Sequence, residues 1–171
     1  MVIVMKNLAK YLSDALGELR IFSAATSNSS LNNVSIPVLQ EGTLSKQARA
    51  LFIAGNLKSA LDLANQLIAQ EPKNPEGYQI RASSQLGLKN YGMALEDFNQ
   101  TIALDPRYAS SAGFIYAKSY AEYNLGMVDV AKLGMQKSAD LFLASGDQKH
   151  SEQATSYLEK MNSGEPLEAN T

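Results

Sequence analysis

The sequence predicts an all-α protein made of stacked helix–turn–helix repeats, and three observations carry that prediction. Leu57-Lys58-Ser59-Ala60-Leu61-Asp62-Leu63-Ala64 overlays Tyr91-Gly92-Met93-Ala94-Leu95-Glu96-Asp97-Phe98, with Ala60 and Ala94 34 residues apart. The phrases Ile68-Ala69-Gln70-Glu71-Pro72 and Ile102-Ala103-Leu104-Asp105-Pro106 close their blocks at the same 34-residue offset. A third copy follows after a slip of three residues, with Ala131 in the slot of Ala60 and Ala94. A period in this range marks a supersecondary unit that buries its apolar face only against its neighbours.

The first element precedes the repeats. In residues 1–24, Leu8, Tyr11, Leu12, Ala15, Leu16, Leu19 and Phe22 recur at spacings of three and four, with Lys10, Asp14, Glu18 and Arg20 elsewhere. The pattern predicts an amphipathic helix, marginal in water by itself, so its stripe would need a surface. Three surfaces stay open: the repeat body, the protein's own groove, and a second copy in a homodimer. Lys6, Lys10 and Arg20, offset by two acids, are too few for a membrane-surface helix. Residues 25–40 read as a linker, Ser- and Asn-rich and then broken by Pro37.

The repeat domain is expected over 41–162. The first repeat, 41–74, turns at Gly55-Asn56, places Ala60, Ala64 and Leu67 on the inner face of its second helix, and ends at Pro72. The second, 75–108, carries Tyr78, Ala82, Tyr91, Ala94, Phe98 and Pro106; Lys89 stands where the turn glycine would be, which predicts a slightly different turn. The third, 112–145, keeps Ala131, but Lys132, Gly134 and Ser138 are poor for its second helix, which runs on to Gly146. A capping helix at 148–162 presents Ala154, Leu158 and Met161, with Tyr157 alongside, and 163–171 reads as a flexible tail.

Small residue, aromatic, alanine and proline at these offsets resemble the tetratricopeptide repeat family, over about two thirds of the chain. The resemblance implies a right-handed superhelix whose first helices line a concave groove that holds a peptide or protein segment. Carried over by repeat position, the groove residues are Arg49 and Phe52, then Gln79, Ser83 and Leu86, then Tyr116, Tyr120, Tyr123 and Asn124. The three tyrosines form a strip that offers contact area at small rotamer cost. Members that grip acidic chaperone C-termini use a clamp of lysines, asparagines and an arginine. The matching slots here hold Ser45, Arg49, Ile80, Gly113 and Ala117, so that specificity is not expected. Ala139–Asp147 with Glu152-Gln153-Ala154 also resembles small repeat proteins of oxygenic phototrophs, some of which assist complex assembly.

Composition narrows the function further. With 171 residues, 45% of them apolar, the chain supports one domain with a core. A net charge of −2 gives no pull towards nucleic acid. The absence of cysteine excludes disulfides and thiol nucleophiles, and a single histidine leaves no metal-ligand set or cofactor site. His150 reads as solvent-facing, Glu96-Asp97 as a solvated pair, and Gly126 and Gly134 as isolated punctuation. No run approaches the roughly 20 apolar residues that span a bilayer, and Met1–Met5 is too short for a secretory signal, so a cytoplasmic location is expected. Met5 is an alternative first residue. The function this implies is a non-catalytic adaptor, of the kind that serves assembly of a larger complex. The alternative is a structural module dimerising through its N-terminal helix.

Overall fold

The computed structural model describes residues 43–167, so the expected N-terminal helix and the linker lie outside the described residues. Within that range the chain forms seven α-helices and one 3-10 turn. α1 (Thr43–Ile53) pairs with α2 (Leu57–Gln70), α3 (Pro75–Gly87) with α4 (Tyr91–Leu104), and α5 (Ala112–Asn124) with α6 (Val128–Ala144); α7 (Gln148–Ser163) packs on α6. The architecture is a tetratricopeptide-repeat superhelix.

Alanine sets how closely the helices approach. Ala48, Ala60, Ala64, Ala82, Ala94, Ala117, Ala121 and Ala131 are all fully buried, and larger side chains fill between them. Phe114 joins the second and third repeats, with its ring centroid 5.1 Å from both Phe98 and Tyr108. The slip of three residues has a visible cause. After Pro72 the chain goes straight into α3, with Asn74 as N-cap accepting from the Glu76 amide at 3.0 Å and Pro75 in the first turn. After Asp105 it instead makes the 3-10 turn Pro106–Ser110 before α5 begins.

Four features differ from the sequence reading. Lys89 does not alter its turn: it takes φ +64°, close to Gly55, Gly126 and Gly146 at +79°, +79° and +84°. All four turns close with the same pair of bonds, here Lys89 N–H to Leu86 C=O at 3.0 Å and Asn90 N–H to Gln85 C=O at 2.9 Å. Asp97 is buried and ion-paired, leaving only Glu96 on the solvated face. Gly134 is a packing residue, because a Cβ there would lie 2.0 Å from Ser119 Oγ. The start of the tail is held: Gly164 turns back at φ +75°, the Glu165 amide bonds to Lys160 C=O at 3.0 Å, and Leu167 is buried.

Candidate functional site

The nine residues singled out from the sequence lie on the first helix of each pair. Arg49 and Phe52 are on α1, Gln79, Ser83 and Leu86 on α3, and the three tyrosines with Asn124 on α5. The structure gathers Phe52, Leu86, Tyr116 and Tyr120 into one apolar cluster, with Tyr91, Tyr123 and Tyr157 packed against it. Phe52, Gln79, Ser83, Leu86, Tyr116 and Tyr120 are only 0 to 5% exposed. Arg49 and Tyr123 are half-buried and Asn124 is exposed.

The tyrosine strip is therefore packed rather than open, and the capping segment supplies much of that packing. Tyr157 of α7 stands edge-on to Tyr116 at 5.5 Å and to Tyr120 at 5.9 Å. Tyr91 tilts against Tyr120 at 6.3 Å, and Gln153 donates to the Tyr116 hydroxyl at 3.5 Å. The Tyr123 hydroxyl donates to Glu165 C=O at 3.2 Å, which ties the third repeat to the tail. Tyr157 thus belongs to this face, Leu167 is buried in the same cluster, and both are missing from the sequence-based set. Their signals are a ring on the capping helix and the one leucine beside Pro166 in an otherwise polar tail.

The polar groups on the face are engaged locally. Arg49 pairs with Glu76 across α1 and α3. Asn124 donates from its amide to Tyr120 C=O at 2.8 Å. Nearby, burial pushes the Tyr108 hydroxyl above its ordinary pKa, with the Glu76 charge adding to the effect. His150 is buried, a correction to the solvent-facing expectation: its ring contacts the Asp147 carboxylate and tilts over Phe142 at 5.4 Å. Burial pushes Asp147 up, but the hydrogen bonds from the His150 ring and amide outweigh it, and its pKa lies below the usual carboxylate range. This pair caps the start of α7.

A separate cleft of about 300 Å³ lies where the second and third repeats meet, lined by Ile102, Phe114, Ile115, Val130, Leu133 and Lys137 among others. It shares no residue with the nine. Among the described residues no cluster of three or more His, Asp or Glu is placed to hold a metal ion. Among them, too, no helix is long and apolar enough to cross a membrane.

No family model matches the chain. A rice protein (Oryza sativa subsp. japonica), Protein SGT1 homolog, is 36% identical over 63 residues, which is 37% of this chain. The chain spans only 17% of that curated relative's length. Among solved structures, the first TPR of Spaghetti (RPAP3), bound to HSP90 peptide SRMEEVD, matches with a TM-score of 0.51 and 24% identity over 66% of this chain and 90% of that one. The first TPR domain of the human RPAP3 protein gives 0.50 and 24% over 68% and 93%. The Sgt2 TPR domain from Aspergillus fumigatus gives 0.53 and 21% over 75% and 85%. At these identities the likeness shows the fold, and the fold is that of tetratricopeptide repeats.

Proposed function

We propose that this repeat fold is a non-catalytic adaptor that holds a helical or extended apolar segment of another protein on the face made by α1, α3 and α5. The observation that carries this reading is that all nine residues fall on α1, α3 and α5, the first helices of three successive pairs. A stack whose repeats each add one patch to a shared surface suits a ligand that runs along it. Apolar burial at about 25 cal/mol per Å² supplies the affinity, while the half-buried Arg49 and Tyr123 and the exposed Asn124 fix register. Such an adaptor serves assembly of a larger complex in the cytoplasm.

The likeness to a domain bound to SRMEEVD does not extend to that ligand. A peptide with two glutamates and a terminal carboxylate needs several cations. At the matching slots this chain offers one, Arg49, and Glu76 already neutralises it; Ile80 and Ala117 are buried and apolar. The segment we propose is apolar and near-neutral.

Tyr120→Ala tests the reading in the full chain, with circular dichroism to show that the helices remain. Partner recovered from source cells is quantified and its affinity titrated. A loss of at least tenfold is expected, and a folded variant with undiminished affinity overturns the proposal.

A further inference from the structure

We propose that the solvent face of α6 pairs with the same face of a second copy, antiparallel, about a two-fold axis at Leu133. The contact uses none of the nine residues on α1, α3 and α5, so two copies joined this way present two such faces.

Exposed apolar side chains are concentrated around this helix. Among the described residues eight large ones are exposed, and six of them lie between Leu125 and Leu143. Leu133 is the extreme at 74% exposure, and Val130, one turn earlier, is at 48%. They share a face with Asp129, Gln136, Lys137 and Asp140, all exposed. Beside this ridge is the cleft of about 300 Å³. Val130, Leu133, Gly134 and Lys137 form one wall and Ile115, Lys118, Ser119 and Glu122 the other, each set at spacings of three and four. Glycine at 134 leaves the space between them open, with room for a branched apolar side chain. A protruding leucine and a hollow thus lie side by side, and a two-fold axis seats each copy's Leu133 against the other's hollow.

Charge fixes the direction of the pairing. Asp129 stands four residues before Leu133 and Lys137 four residues after it. In an antiparallel pair centred at Leu133, each Asp129 therefore lies opposite the second copy's Lys137, which makes two ion pairs. A parallel pair would set aspartate against aspartate and lysine against lysine. Within one copy about 12 Å of helix separates the two charges. Among the described residues neither has an ion pair, and the Lys137 ammonium donates to Ala109 C=O at 3.0 Å. The rest of the register is compatible: Val130 meets Gln136 and Lys132 meets Gly134, so no like charges face each other. The overlap is about three helical turns. A contact of that size falls below the roughly 1,200 Å² of standard interfaces, so the pairing is weak and depends on concentration. Its consequence is avidity for a ligand that carries two matching segments.

Sedimentation of the full chain from about 10 to 500 µM, the range of a small interface, tests the pairing. A monomer–dimer equilibrium is expected, and a chain that stays monomeric at the highest concentration overturns the proposal. Leu133→Glu, at a site exposed enough to leave folding intact, is expected to weaken the dimer at least tenfold. A dimer indifferent to it lies on another surface and overturns the proposal, leaving the adaptor reading intact. Asp129→Lys and Lys137→Glu are each expected to weaken the dimer, and the chain carrying both to recover it to within about threefold of the parent. Circular dichroism follows the helices in each variant. Because the combined chain carries both substitutions, damage to the fold cannot imitate recovery. A combination no better than the single variants overturns the register. The absence of cysteine allows one further reading. An Asp129→Cys chain mixed with a Lys137→Cys chain is expected to form disulfide-linked dimers at least tenfold faster than either alone, since only the mixture sets the two thiols opposite each other. Equal rates overturn the antiparallel pairing.

Discussion

The second and third repeats follow one ground plan and hold their helix pairs together by opposite means. In the second, Arg81 and Asp97 occupy the seventh and twenty-third positions, and the guanidinium clasps the carboxylate with two bonds of 2.7 Å. Arg81 also reaches back to Asn65 at 2.9 Å and lies over the Tyr78 ring at 5.6 Å, so one side chain ties α2, α3 and α4 together. In the third repeat the same positions hold Lys118 and Gly134. With no side chain opposite, Lys118 turns to Glu122 on its own helix, α6 closes onto Ser119, and Ser138 donates to Ala112 C=O at 2.8 Å. The cleft lined by Lys118, Ser119, Glu122 and Gly134 lies where the ion pair would have been. Identical topology therefore tolerates either a bridging pair or a missing side chain, provided the partner slot changes with it.

The largest expected effect separates those two solutions. The hydrogen bond to Asp97 raises the Arg81 pKa further, against the opposing effect of burial, as expected of a well-matched pair. Asp97→Ala leaves a half-buried guanidinium without its partner and costs about 2–3 kcal/mol, less than the full penalty of a wholly buried pair because Arg81 retains some solvent. Glu122→Gln in the third repeat keeps a hydrogen bond to Lys118 at a buried site and costs less, about 1 kcal/mol, since the pair lies within one helix and bridges no others. Denaturant unfolding of both variants measures the difference. Equal losses would break the comparison.

The next effect has the opposite sign. Lys89 holds φ +64° in a turn where the other repeats place glycine, and a side chain in that region costs roughly 1–2 kcal/mol. Lys89→Gly is expected to raise stability by about 1 kcal/mol, and Gly126→Ala, at φ +79°, to lower it by a similar amount. A melting curve for each is sufficient; a Lys89→Gly chain less stable than its parent would mean that the lysine side chain holds the turn.

These cases show why the fold is legible in the sequence and the site only partly so. Repeats announce themselves because Ala60, Ala94 and Ala131 must all be small at one period, and that requirement is local. Lys89 escapes such a reading because the turn is set by the bonds to Gln85 and Leu86, which impose the left-handed conformation on whatever residue stands there. Asp97 and Gly134 escape it because their partners, Arg81 and Ser119, lie on the preceding helix, and spacing along one helix does not reveal them. The nine residues singled out from the sequence fall on the expected helices because their slots follow the repeat. The packing of Tyr116 and Tyr120 is not visible in the sequence, since it involves Tyr157, which belongs to no repeat.

The smallest expected effect tests whether the third repeat truly depends on an absent side chain. Alanine is favoured over glycine in a helix by about 1 kcal/mol, so Gly→Ala stabilises wherever there is room. Gly92 in α4 has room, with nothing within 4 Å of an added Cβ, and Gly92→Ala is expected to gain about 0.5 kcal/mol near its helix end. Gly134 has none: the new Cβ would meet Ser119 Oγ at 2.0 Å, and Ser119 is itself buried in the α5–α6 contact. Overpacking of this kind costs roughly 1–3 kcal/mol, which exceeds the propensity gain, so Gly134→Ala is expected to lose about 1 kcal/mol. Ser119→Ala removes the obstructing atom and leaves the nearest neighbour at 3.3 Å. In that background Gly134→Ala should be neutral or slightly stabilising, a coupling of about 1 kcal/mol in a double-mutant cycle. Additive effects would mean that α6 accepts the methyl by shifting as a body, and that its closeness to α5 is a consequence of the glycine and not a condition of the fold.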